Sequence, residues 1–401
     1  MERLIFHIDV NSAFVSWEAV RRVKNGEPDI RLIPSAVGGD PASRRSIIAA
    51  KSIPAKKYGI VTGEAVSSAI KKCPTLLVVP ADFDLYKECS RAFKDICRFY
   101  APVVEEFSID ECFLDLTGTG LIYPDPINLA YEIKDRIRDE LGFTVNVGVA
   151  RNKVCAKMAS DLEKPDKVHT LFPEEIESKM WPLPVGDLLF IGRSSAKRLN
   201  DAQIRTIGDL ANADIKYLEA VLGKKMSVQA RNYANGIDFS PVSDERSEAK
   251  SFSHDMTLEY DVTTPEAANR ILLAISDKVS ERMRRHGAKA YCVAVTIRYL
   301  DFTSRSHQKQ LPEAIDTSRE VYEASRLLMQ ELWTDGRPLR LISITLSNLT
   351  KDTFGEQFTL FESGARKTRE RDEKLDKAMD DIKRKYGSAA VRRAGTIDVE
   401  K

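Results

Sequence analysis

The segment Phe107-Ser-Ile-Asp-Glu-Cys-Phe-Leu-Asp-Leu116 constrains this chain more than any other, because it sets two adjacent carboxylates, Asp110 and Glu111, among apolar residues. Neighbouring acids repel, and taking either out of water is costly unless a cation meets it. A third acid in the same setting, Asp9, ends the apolar run Leu4-Ile-Phe-His-Ile8. Three carboxylates converging at strand ends suit Mg²⁺ facing a nucleotide triphosphate. Taken singly, the same acids also fit a helix cap at Asp9 and turn residues at Asp110 and Glu111.

At 401 residues the chain is too long for one core and is expected to form two to four domains. No apolar run approaches the roughly 20 residues that span a bilayer, and the apolar stretch near Met1 is too short for a secretory signal. No membrane association is expected. Six cysteines (Cys73, Cys89, Cys97, Cys112, Cys155, Cys292) lie in apolar surroundings without paired spacing, as reduced core residues of a cytoplasmic protein do. With 61 basic against 60 acidic residues there is no global footprint for nucleic acid. Any such contact must come from local basic faces: Arg282-Met-Arg284-Arg285, Lys289, Arg305 and Arg340. Solvated helix or sheet faces look the same.

The order of elements is α+β. Leu4 to Asp9 reads as a strand, with Asn11 and Ser12 capping a helix from Ala13 towards Val23. Gly38-Gly-Asp-Pro41 reads as a turn, Ser46 to Ala50 as a strand, and two short helices follow around Gly59 and Gly63. Leu76 to Val79 is a strand and Asp84 to Tyr100 an amphipathic helix. Val103 to Phe107 and Cys112 to Leu116 pair around the acidic turn, and a helix over 127–141 and a strand over 144–149 complete a βαββαβ-type order with one sheet face covered. Short helices follow Pro165, and the stretch from Phe190 to Leu210 reads as a helix–hairpin–helix. Residues 241–246 form a linker. A second αβ unit then has strands near 256–260, 290–299, 303–310 and 339–347, and helices over 265–286 and 317–333. From Lys351 the chain is highly charged, with one helix between Glu370 and Tyr386 and a frayed end.

Four motifs occur in order: Phe6-His-Ile-Asp-Val-Asn-Ser-Ala-Phe14, Ala55-Lys-Lys-Tyr-Gly-Ile60, Ser108-Ile-Asp-Glu111, and Val147-Gly-Val-Ala-Arg-Asn-Lys153 with Ala156-Lys-Met-Ala-Ser-Asp-Leu-Glu-Lys164-Pro165. Together they resemble the Y-family (translesion) DNA polymerases of the bacterial polymerase IV and UmuC type, over residues 1–350. The resemblance implies a multidomain right-hand polymerase: a palm over 1–19 and 77–165, small fingers over 20–76, a helical thumb over 166–240, an αβ little finger over 241–350 and a charged tail over 351–401. It implies low-fidelity, template-directed synthesis past damaged bases by a monomer that works on the bacterial nucleoid. The positions of Asp9, Asp110 and Glu111, with the carbonyl of Val10, would hold two Mg²⁺ ions. An incoming dNTP would bridge them, and the primer 3′-hydroxyl would attack its α-phosphate.

Further roles follow from the same resemblance. Ala13 and Phe14 would face the nucleotide, with Phe14 as a steric gate against a 2′-hydroxyl; a lone Phe there otherwise reads as core. Lys56 and Lys164 would contact the triphosphate. Polymerase IV relatives carry Thr-x-x-Tyr-x-x-Arg in the fingers, whereas this chain has Ala50, Ile53 and Lys56 there, so its phosphate contacts are expected to be weaker or rearranged. In the hairpin, Phe190 replaces the first glycine of the family's Gly-x-Gly while Gly192 remains. Gly192, Arg193, Ser194 and Lys197 are the expected thumb contacts to primer–template DNA, and Arg305 and Arg340 those of the little finger. Gln357-Phe358-Thr-Leu360-Phe361 resembles the peptide with which bacterial polymerases hold the sliding clamp, although a short strand would read similarly. A catalytically silent DNA- and clamp-binding protein and a nucleotide cyclase are the alternatives. The intact acids speak against the first, and the duplex-gripping segments against the second.

Overall fold

Every residue from Ile5 to Val10 is buried, so this strand (β1) is covered on both faces and sits at the centre of its sheet. The computed structural model describes residues 2–245, 248–351, 363–387 and 389–396. The chain divides into two compact units, Met1–Arg246 and Ser247–Lys401.

In the first unit β1 is followed by α1 (Ala13–Lys24), β2 (Ser35–Gly38), β3 (Ile48–Lys51), α2 (Ile53–Lys56), α3 (Val66–Lys72), β4 (Leu77–Val79) and α4 (Phe83–Tyr100). Next come β5 (Val103–Glu106), β6 (Glu111–Asp115), α5 (Pro126–Leu141), β7 (Val145–Ala150), α6 (Lys153–Asp161) and β8 (Val168–Leu171). Four helices close the unit: α7 (Arg193–Asp201), α8 (Ile207–Asn212), α9 (Ile215–Leu222) and α10 (Lys224–Ala234). The main sheet has the order β5-β6-β1-β7-β8. One face packs Phe6, Ile8, Leu114 and Val147 against α1, α4 and α5. The other packs Ile5, Phe113 and Ala150 against α6 and the helices from α7 onward. Both faces are therefore covered, not one as the element order suggested, because α6 folds back over β1 and β7.

Two expected boundaries move. Leu77–Val79, expected to reopen the palm, pairs in parallel with β2 in a separate sheet of order β3-β2-β4. Val168–Leu171, expected to open the thumb, is the fifth strand of the main sheet, parallel to β7. In both cases backbone pairing, which apolar patterning does not specify, decides the membership.

The second unit contains β9 (Ser251–Val262), α11 (Pro265–Arg285), β10 (Lys289–Tyr299), β11 (Ser304–Ile315), α12 (Ser318–Leu332), β12 (Leu339–Thr350) and α13 (Ser363–Tyr386). Its antiparallel sheet has the order β11-β10-β12-β9, with α11 and α12 over one face. The charged helix expected between Glu370 and Tyr386 is present as α13, and it is docked on α11. Asp376 is 1% exposed and meets Arg284 at 3.1 Å, and Lys383 meets Asp277 at 2.6 Å. The charge pattern that looked like solvated tail is a set of pairs made across helices. The expected clamp peptide, Gln357 to Phe361, lies outside the described residues. No described helix is long and apolar enough to cross a membrane.

The seat of α6 on the sheet depends on Gly148. A Cβ at that position would lie 2.0 Å from the carbonyl oxygen of Ala156 and 2.5 Å from the amide nitrogen of Ser160, both rigid backbone. Gly148→Ala should therefore cost about 1–3 kcal/mol or more, lowering the Tm of this unit by about 4–10 °C. Thermal unfolding followed by circular dichroism reads this directly, and an unchanged Tm would mean that α6 is free to shift.

Candidate active site

Asp9 is the last residue but one of β1 and Glu111 begins β6, and the antiparallel register sets the two directly opposite each other. Directly opposed residues put their side chains on the same face, so the fold forces two carboxylates together. The intervening turn is held by α4: Lys94 donates to the carbonyl of Ser108 at 2.6 Å, and Ser90 donates to that of Ile109. Val10 N–H donates to the carbonyl of Asp110 at 3.0 Å, which ties the turn to β1. The Asp110 carboxylate accepts from the Ser108 hydroxyl at 2.6 Å.

Two lysines from the α6 region answer the acids. Lys157 bonds to Glu111 and lies 3.4 Å from Asp9, and Lys164 lies 3.0 Å from Asp9 and 2.7 Å from Asp161. Burial pushes the Asp9 carboxyl up, but Lys164, a hydrogen bond with Glu111 and Lys157 outweigh it and hold it below the ordinary value. Burial and the neighbouring Asp9 push Glu111 up to about 7, against the pull of Lys157. Burial lowers both lysines, and the surrounding acids more than reverse this. The pair is thus a part-buried acidic site that is met by two ammonium groups. Among the described residues no three acidic, histidine or cysteine side chains converge as a finished metal cage, because Asp110 turns to Ser108 and the lysines lie on the other two acids. The donors that face this spot are all carboxylate oxygen and already draw cations, which fits a hard divalent ion.

A buried amide knot fixes the surroundings. Asn11 Nδ2 donates to Asn146 Oδ1 at 3.0 Å, and Asn11 Oδ1 accepts from Thr144 Oγ1 at 3.0 Å and from Asp166 N–H at 2.9 Å. Asn146 Nδ2 in turn donates to the carbonyls of Ser160 and Glu163, so both lysine-bearing segments hang from one pair of amides. Neither asparagine nor Lys157 stood out as a site residue in the sequence, since a buried amide has no local signature. Ser12 precedes α1 with φ 48° and makes no side-chain cap, contrary to expectation; instead the Ser16 hydroxyl donates to the carbonyl of Asn11.

The site opens into a cavity of about 540 Å³ lined by Asp9, Ala13, Phe14, Lys56, Asp110 and Lys164 among others. Glu111 lies behind this lining. The Phe14 ring stacks on Tyr86 at 4.5 Å and 11°, with Phe83 edge-on at 6.0 Å. The Tyr86 hydroxyl donates to the buried carboxylate of Glu18 at 2.9 Å. One side of Phe14 is therefore core and the other is cavity wall. Ala50 and Ile53 also line the cavity, as do Lys51 at the end of β3 and Thr62 in the turn that follows α2.

The remaining expected contacts lie elsewhere in their units. Gly192 is the N-cap of α7 without any side-chain cap, leaving the first amides of Arg193 and Ser194 open. Phe190 adopts φ 69°, the left-handed region that favours the glycine it replaces, and is 56% exposed. In the second unit the basic cluster is largely consumed: Arg284 pairs with Asp376 and Asp380, and Lys289 lies near Asp316. Arg305 stands opposite the core residue Ile297, hence on the helix-covered side at the sheet edge, 3.4 Å from Asp335. Register places Arg298, not Arg305, on the open face, where it donates to Ser304 at 3.0 Å. Arg340 lies over the Phe302 ring at 4.8 Å.

Residues 8–161 match the impB/mucB/samB family, residues 249–360 match that family's C-terminal domain, and residues 187–238 match the thumb domain of DNA polymerase-iota. The chain is 44% identical to the DNA polymerase IV of Clostridium acetobutylicum and 35% identical to that of Clostridium kluyveri, with all of both chains covered in each case. It is 34% identical to the DNA polymerase IV 1 of Bacillus subtilis, over 99% of this chain and 94% of the other. Its fold resembles that of a Y-family DNA polymerase chimera, with a TM-score of 0.76 at 23% identity over 87% of this chain and 100% of that one. The acidic pair, the aromatic cavity wall and the lysine-bearing helix thus occur in a chain that belongs to the Y-family DNA polymerases, in the polymerase IV line.

Proposed function

We propose that this chain is a template-directed, low-fidelity DNA polymerase that extends a primer 3′-hydroxyl with a dNTP, and that its reacting atoms meet over Asp9, Asp110 and Glu111. The observation that carries the proposal is the cross-strand pair of Asp9 and Glu111, buried yet beside a cavity large enough for a nucleotide. Enzymes of this family use divalent metal ions. Here the three carboxylates and the Val10 carbonyl would hold two Mg²⁺, which supply charge neutralisation at the transferring phosphate and a lowered pKa for the attacking hydroxyl. The residues of the chain do the positioning. Ala13 and Phe14 form the floor under the sugar, with Phe14 braced by Tyr86 so that it cannot yield to a 2′-hydroxyl. Lys56, which has no acidic partner among the described residues, and Lys164 face the phosphates.

Around this centre, residues 1–19 and 77–165 serve as palm, 20–76 as fingers, 166–240 as thumb and 241–350 as little finger, with 77–79 and 168–171 exchanged as the sheet pairing suggests. The open amides before α7, with Arg193, Ser194 and Lys197, take a DNA phosphate without reading sequence. Arg340, Arg305 and the open-face Arg298 add salt-sensitive contacts. Gln357, Phe358, Leu360 and Phe361 tether the enzyme to a sliding clamp, and the protein works as a monomer on the bacterial nucleoid.

Primer extension on undamaged and abasic templates with Mg²⁺ tests the central reading. Asp110→Ala should cut incorporation by at least about 10³-fold while primer–template affinity changes less than about twofold; residual extension near wild type would remove Asp110 from the reacting centre. Phe14→Ala should admit ribonucleotides at least about tenfold better relative to deoxyribonucleotides, and unchanged sugar selection would return Phe14 to a purely core role. Deleting 357–361 should abolish stimulation by the clamp and leave clamp-free synthesis intact. Equal losses in both assays would argue for a structural role.

A further inference from the structure

The cavity has cations on two sides, and their situations differ. Lys157 and Lys164 are satisfied by Asp9, Glu111 and Asp161. On the opposite wall, Lys51 at the end of β3 and Lys56 at the end of α2 both line the cavity, and neither makes an ion pair among the described residues. Lys51 is half-buried, and its one hydrogen bond is to a neutral group, Thr62 Oγ1 at 3.2 Å, which also lines the cavity. Glu64, whose charge acts on Lys51 in the opposite sense to burial and Lys56, makes no ion pair with it and is occupied by Lys72 at 2.7 Å and by the amide of Val61 at 2.7 Å. Burial and the charge of Lys56 together push the Lys51 ammonium below its ordinary pKa.

A partly desolvated ammonium, aimed by a hydroxyl into a cavity and facing a second unpaired ammonium, lacks an anion. A solvated surface lysine would not be held this way. The same wall has small or apolar groups at Ala50 and Ile53, where relatives carry a hydroxyl and a phenol, so neither of those two positions offers a donor. We propose that Lys51, oriented by Thr62, is a triphosphate-binding residue of this enzyme, and that it takes over from the neighbouring position the phosphate contact that Ala50 and Ile53 cannot make. Its ligand is the polyphosphate of the incoming nucleotide, a multiply charged anion that a point cation suits. The inference rests on the nucleotidyl-transfer reading above and specifies how this chain grips the triphosphate.

The test is single-nucleotide insertion by the full-length protein with varied dNTP, with inorganic tripolyphosphate as competitive inhibitor. Lys51→Met should raise both the KM for dNTP and the Ki for tripolyphosphate by about tenfold or more, with a smaller change in kcat and with primer–template affinity unchanged. Lys51→Arg should recover most of the loss, and Thr62→Val should show a milder form of it. If wild type inserts nucleotides and is inhibited by tripolyphosphate, but both constants are unchanged in Lys51→Met, the role of Lys51 is refuted and the polymerase reading stands. If wild type inserts nothing, the polymerase reading itself fails. If Lys51→Met is unfolded by thermal melting, Thr62→Val decides: wild-type KM and Ki in a folded Thr62→Val refute the proposal, and a parallel rise in both supports it.

Discussion

The structure depends on the enforced meeting of Asp9 and Glu111. Two like charges about 4 Å apart repel by about 4 kcal/mol at an effective dielectric near 20, and the pairing of β1 with β6 leaves them no route apart. The fold answers with α6. Its Lys157 stands over both acids, and the loop after it brings Lys164 to Asp9. For α6 to lie close enough, β7 must present Gly148, and the chain beyond α6 must be tied down by Asn11 and Asn146. A single electrostatic requirement thus explains a glycine in a strand, a buried amide pair and two lysines. The same carboxylate oxygens are the donor type that suits a hard divalent ion.

Acids lie on the β1 and β6 side of the cavity and two lysines without an ion pair among the described residues on the β3 and α2 side, and the Phe14 ring lines it as well. The rigidity of the centre comes from aromatic packing: Phe14 rests on Tyr86, whose hydroxyl is pinned by Glu18.

In the second unit, charge serves a different end. Asp376 is buried with Arg284 and Arg393, and Asp277 with Lys383 and Arg393, so α13 is fixed on α11 by paired ions. Such pairs return little net stability once desolvation is counted, but each excludes any register that would leave an ion buried alone. They also engage Arg284, one of the basic residues that looked available for nucleic acid.

The α+β order, the strands around the acidic turn and the identity of Asp9, Asp110 and Glu111 were legible in the sequence, because apolar periodicity and adjacent acids are local signals. The clusters at Arg284 and Lys289 were not legible as ion-paired, because charge alone does not reveal a partner about ninety residues away. Lys157 and Lys51 were hidden for the same reason: a lysine's meaning lies in what faces it. By itself, the sequence determined which groups could do chemistry and roughly which elements carry them. Only the tertiary structure decided the strand register that opposes Asp9 to Glu111, the helix that neutralises them and the lysine left without an anion, since each is a distance between residues far apart in the chain.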